Sequence, residues 1–161
     1  MAPALAGIKP ASLVSCQRSR FPQLPQLLDE YRRAFGPKDI HFQILCTCSE
    51  RYLLLVYRQT MLEDCLAGEE AARLLEQFGY RREEPLEAKL DRLARRRRGR
   101  GGFPHEIGLF LGYPVEDVKG FIRYGGAGCK LCGCWKVYGD VEHAASQFAR
   151  IAGCAALVCG G

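Results

Sequence analysis

The sequence predicts an α+β fold, a small and largely antiparallel sheet of about three to four strands packed with several helices, on three observations. Two runs rich in β-branched and aromatic residues, Ile40 to Thr47 and Tyr52 to Tyr57, are separated by Cys48-Ser49-Glu50-Arg51 alone, which is hairpin spacing. From Met61 onward the apolar residues recur instead at helical intervals, punctuated by glycines. The composition, 48% hydrophobic and 25% charged over 161 residues, belongs to a chain that can bury a core without disulfide or metal staples.

Each element follows from its local pattern. Residues 11–16 are short, apolar and preceded by Lys9-Pro10, as suits a first strand. Phe21 to Phe35 places Leu24, Leu27, Leu28, Tyr31 and Phe35 at helical spacing, and Gly36-Pro37 stops it. After the hairpin come helices over Met61 to Leu66, Glu69 to Phe78, and a third through Leu86, Leu90 and Leu93 as far as Arg98, with Gly68 and Gly79 as stops. Residues 99–102 are a glycine-rich break. Pro104 to Leu111 and Pro114 to Tyr124 then read as two short helices around Gly112-Tyr113, Lys136 to Tyr138 as a last strand, and Val141 to Val158 as a closing helix. No repeat and no composition shift divides the chain, so residues 1–161 are expected to form one domain.

Charge and cysteine usage exclude several classes of function. Between Arg81 and Arg100 nine basic side chains face four acidic ones, which accounts for the whole net charge of +5, so the basic character is one local feature rather than a field for nucleic acid. The longest uncharged apolar run, Ile151 to Gly161, is about half of the ~20 residues a membrane helix needs. Met1 to Ile8 is short and uncharged and lacks the form of an export signal. An odd count of nine cysteines then points to reduced thiols and a cytoplasmic protein with no membrane partner.

Three places carry candidate chemistry. In Phe103-Pro104-His105-Glu106-Ile107-Gly108-Leu109-Phe110-Leu111-Gly112-Tyr113-Pro114, Pro104 suits a first helical position, which would put His105 and Glu106 in the first turn. His105 is then a candidate ligand or proton-transfer group and Glu106 its acidic neighbour; a zinc-protease motif would require a second histidine where Leu109 stands. The plainer alternative has Glu106 capping the turn and His105 making a local hydrogen bond. The same stretch matches helix-turn-helix spacing, but Val115, Glu116 and Asp117 would face the nucleic acid, and two carboxylates repel phosphates.

Cys129, Cys132 and Cys134 bring three thiols together in a glycine-rich setting, and Cys46 or Cys48, on one face of a strand, could supply a fourth thiolate for zinc or an iron–sulfur centre. Against this stand the missing second Cys-x-x-Cys and the tendency of free cysteine to serve as a small buried hydrophobe, a role that suits Cys65, Cys154 and Cys159 on helices. A redox pair of Cys129 and Cys132 is a third alternative, although such pairs usually sit at a helix N-terminus and this one leads into a strand. The third place is aromatic. Phe103, Tyr113, Trp135 and Tyr138, with Lys9 and Lys136 as the cations beside them and the candidate anion contacts, would wall a pocket for a small ligand if their segments meet in space, and would otherwise form ordinary core. Arg95 to Arg98 offer phosphate or an acidic partner a cluster of guanidiniums, or simply a solvated helix end.

The Phe103 to Val118 stretch resembles the signature of a bacterial family of unknown function, the DUF3793 proteins, found mainly in anaerobic Firmicutes. Ala2-Pro3-Ala4-Leu5-Ala6-Gly7-Ile8-Lys9 and Gly133-Cys134-Trp135-Lys136-Val137-Tyr138-Gly139-Asp140 are similar to two further segments of that family, so the resemblance spans nearly the whole chain. It implies a short lead-in before the first motif, with Met1 not the natural start, and transfers no activity. The expectation is a protein that binds a small molecule, cofactor or metal where the three motifs meet; the alternative is a non-catalytic partner of nucleic acid or an acidic protein. No enzyme class is assigned.

Overall fold

Strands β1 (Ala11–Gln17), β2 (Ile40–Thr47) and β3 (Arg51–Arg58) pair antiparallel in the order β1-β3-β2 in a computed structural model. It describes Ala4 and residues 7–99, 104–132 and 135–159, with 153–159 as backbone only. The apolar run Leu53-Leu54-Leu55-Val56-Tyr57 accounts for the central place of β3, since a strand with both faces apolar is stable only when both are covered. A bulge between Ile44 and Cys46 shifts the register of β2, and Leu45, next in the alternation, joins the core on the far side of the sheet from Ile44.

Helix α1 (Leu24–Phe35) covers one face, setting Leu24 and Leu28 against Leu54 and Val56. It begins three residues after the expected Phe21, because Pro25 fits only the first turn and fixes the start there. Helices α2 (Gln59–Ala67), α3 (Glu69–Glu76), α4 (Leu86–Arg98), α5 (Ile107–Phe110) and α6 (Val115–Tyr124) pack on the other face. Leu55, Leu62, Leu90, Leu93 and Phe110 are almost wholly removed from water there, each worth roughly 1.5–3 kcal/mol relative to exposure.

The remaining elements are β4 (Leu131–Cys132), β5 (Lys136–Val137) and α7 (Val141–Cys159), whose inner residues Trp135, Val137 and Ala144 form a third cluster. Strand β4 was expected to be loop. Its backbone pairs with β5, Leu131 opposite Val137 and Cys132 opposite Lys136, so the strands total five in two antiparallel sheets among the described residues. Asp140 starts α7 by accepting the His143 N–H at 3.0 Å. Among the described residues no helix is long and apolar enough to cross a membrane.

Candidate functional site

The three motifs meet. Gly112 adopts φ +82°, and a Cβ there would lie 2.5 Å from the Pro10 ring, so only glycine lets the turn after α5 rest against the segment that carries Lys9. The Lys9 ammonium lies 5.5 Å from the centre of the Tyr113 ring, and Tyr113 stacks on Trp135 at 4.8 Å. Trp135 is closed from behind by Phe148 of α7, edge to face at 4.6 Å.

Asp117 ties the second motif to the third. Its carboxylate is 2% exposed and accepts from the Trp135 indole N–H at 2.7 Å and from the backbone N–H groups of Tyr138 and Gly139 at 2.8 and 2.9 Å. On the helix-turn-helix alternative Asp117 would face the nucleic acid; it faces inward instead, held by the Trp135 indole and the backbone N–H groups of Tyr138 and Gly139. Helix α5 is a single turn with all four residues buried, whereas α6 buries Asp117, Val118 and Gly120 and leaves Glu116, Lys119, Ile122, Arg123 and Tyr124 exposed.

Between these elements opens a cleft of about 510 Å³, lined among others by His105, Tyr113, Phe121, Trp135 and Lys136. Its walls are chiefly apolar, and Asp117, though part of the lining, spends its oxygens on the clamp just described. The His105 ring stands edge to face on Phe121 at 5.2 Å. Lys136 sits opposite Cys132 across the β4–β5 pair, and the sulfurs of Cys132 first and Cys129 second raise its ammonium above the usual lysine range.

Glu106 takes no part in the cleft. The helix starts at Ile107 rather than at Pro104, so His105 and Glu106 lie ahead of it, and the Glu106 side chain makes no capping hydrogen bond. It is fully buried on the other side of the turn, paired with Arg96 of α4 through Arg96 Nε to Oε1 and Arg96 Nη2 to Oε2 at 3.3 Å, and accepting the Tyr80 hydroxyl at 3.2 Å. Burial first, and the Glu106 carboxylate second, push the Tyr80 hydroxyl far above its ordinary range. The Arg95–Arg98 end of α4 is accordingly not wholly a solvated helix terminus: Arg96 is drawn inward by Glu106 and lies 5.0 Å over the Phe78 ring.

The structure thus gathers His105, Tyr113, Trp135 and Lys136 around one space, with Lys9 against Tyr113, and separates Glu106 and Tyr138 from it. Tyr138 packs on Gly120 of α6, where a Cβ would lie 2.2 Å from its ring, stacks on Tyr124 and donates to the Ala127 carbonyl. Among the thiols, Cys48 lies in the hairpin turn beyond β2, with its sulfur accepting the Arg51 N–H, and so does not share a strand face with Cys46. Cys65 is exposed rather than a buried hydrophobe. Cys134 and Phe103 lie outside the described residues, as do the side chains of Cys154 and Cys159; among the described residues no group of three or more His, Cys, Asp or Glu side chains gathers as a metal set. Phe121 and Tyr80 were not singled out from sequence as site residues, and Arg96 was read only as one of the Arg95–Arg98 cluster, not as the partner of Glu106. The cluster itself was the signal for Arg96, and nothing in it pointed to Glu106.

The model of one protein family, described as a protein of unknown function (DUF3793), matches residues 1–160. No curated protein and no solved structure matches the chain.

Proposed function

The chain belongs to the DUF3793 family, and on that premise we propose that its three motifs build a binding site for a small, flat organic anion in the cleft beside Trp135. The observation that carries this is the convergence itself: residues more than a hundred positions apart in the sequence, Lys9 and Trp135 among them, meet through Tyr113 at the border of one cleft. Its volume of about 510 Å³ suits a small ligand, and its surface follows the usual recipe of apolar and aromatic walls with a few polar groups. Tyr113, Trp135 and Phe121 offer ring faces and edges to a planar group. Lys136 supplies the positive charge and His105 a ring nitrogen that can donate or accept. Glu106 is neutralised by Arg96 and is not offered to the ligand. The reduced thiols suit work in a reducing compartment such as the cytoplasm.

Trp135 is the only tryptophan, so its fluorescence reports on this cleft alone. Anilinonaphthalene sulfonate, a planar aromatic anion, is expected to bind at about one molecule per chain and to quench Trp135. His105→Ala and Lys136→Met are each expected to weaken that binding by roughly tenfold, equivalent to ~1.4 kcal/mol, with the fold intact by circular dichroism. Binding that both variants leave unchanged would sink the proposal.

A further inference from the structure

The β4–β5 hairpin holds a second chemical feature, which stands whether or not the cleft takes a ligand. Cys129 and Cys132 have the spacing of a dithiol pair; Cys132 is exposed and Cys129 partly so. The usual activating group for such a pair, a helix N-terminus, is absent because β4 follows rather than a helix. In its place the register of the two strands sets Lys136 directly across from Cys132, on the same face of the pair. An ammonium beside a thiol favours the thiolate, which is the form that attacks disulfides.

We propose that Cys129 and Cys132 form a thiol–disulfide exchange site in which Cys132 attacks, Cys129 resolves, and the co-reactant is a low-molecular-weight disulfide. In the first step the Cys132 thiol gives its proton to solvent and its sulfur attacks one sulfur of the co-reactant. The co-reactant's S–S bond breaks, and one small thiolate leaves and is protonated. In the second step Cys129, losing its proton in turn, attacks the Cys132 sulfur and expels the other small thiolate. Two protein thiols are oxidised to one disulfide, and one small disulfide is reduced to two small thiols.

The test is the reaction of the reduced, folded chain with dithiobis-nitrobenzoic acid at neutral pH, followed by release of thionitrobenzoate and by peptide mapping of the product. The expected result is a fast phase releasing about two thionitrobenzoates per chain and leaving a Cys129–Cys132 disulfide. Cys132→Ser removes that phase; Cys129→Ser halves it and leaves a mixed disulfide on Cys132. Lys136→Gln slows it on the order of fivefold while the unfolded variants all react alike. The main rival is Cys48, an exposed thiol that the turn's backbone N–H groups at Glu50 and Arg51 hold below its ordinary value. A fast phase that maps to Cys48, or one that survives Cys132→Ser, or one indifferent to Lys136→Gln, overturns the proposal.

Discussion

Two carboxylates of the second motif, Glu106 and Asp117, are both removed from water, at 0% and 2% exposure, and the molecule treats them in opposite ways. Glu106 is met by a cation: Arg96 reaches in with two nitrogens while its side chain as a whole stays 37% exposed. Asp117 is met by neutral donors, an indole N–H and two backbone N–H groups, all of them buried or half-buried. The first is a peg between α4 and the turn before α5, outside the lining of the cleft although its neighbours His105 and Ile107 belong to it. The second is a clamp that holds the aromatic wall of the cleft in place. A buried acid within a motif is therefore no sign of acid–base chemistry by itself; here one serves helix packing and the other positions Trp135.

The largest effect should come from the clamp. Asp117→Ala strands three donors whose acceptor was ionised, and the loss is expected to reach about 3–5 kcal/mol in urea unfolding. Trp135 emission in the surviving folded fraction should shift to the red as the indole loses its partner. A cost under about 1 kcal/mol would mean that water replaces the carboxylate readily, and would remove the distinction between a clamp and a surface contact. The peg is expected to be the milder of the two. Breaking a wholly buried ion pair costs about 3–5 kcal/mol, but water already reaches Arg96, so Arg96→Met should cost about 2 kcal/mol. If Arg96→Met proves more damaging than Asp117→Ala, the ranking by donor burial fails, and the formal charge on the partner decides instead.

The sequence made the scaffold legible and left these two acids unread. Alternation and hairpin spacing located β2 and β3 to within a residue, and the leucines of α4 announced their inward face, because such patterns record burial in local order. His105, Tyr113, Trp135 and Lys136 were legible as candidates because aromatic and titratable residues in short motifs are unusual. That they share a space was not legible, since it depends on the Pro10–Gly112 contact and on α6 being free of a side chain at Gly120, both of which join segments distant in sequence. Glu106 and Asp117 failed for the same reason. Their partners, Arg96 and Trp135, lie ten and eighteen residues away, and no periodicity connects them. The short strand β4 was missed because its two residues are held by pairing with β5 rather than by any propensity of their own.

The smallest effect is silent at neutral pH and sharpens the comparison from the side of Glu106. Burial and the neighbouring carboxylate hold the Tyr80 hydroxyl well above its ordinary range, and burial does the same for Tyr57, where Asp117 has no tyrosine hydroxyl among its donors. In the unfolded chain both phenols lose their protons near pH 10, while in the folded chain they keep them. The folded state then binds more protons than the unfolded one, so stability is fully present below about pH 10 and falls as pH rises beyond it, by about 1.4 kcal/mol per pH unit for Tyr80 and by a smaller share for Tyr57. An ultraviolet titration of the folded protein should therefore show Tyr80 and Tyr57 ionising late. Tyr80→Phe should flatten the alkaline loss by about one tyrosine's share, at a modest cost at neutral pH from the lost hydrogen bond to Glu106. An unchanged alkaline slope in Tyr80→Phe would show that the Glu106 peg opens to solvent well before the fold does, leaving the Asp117 clamp as the one carboxylate that stays sealed until unfolding.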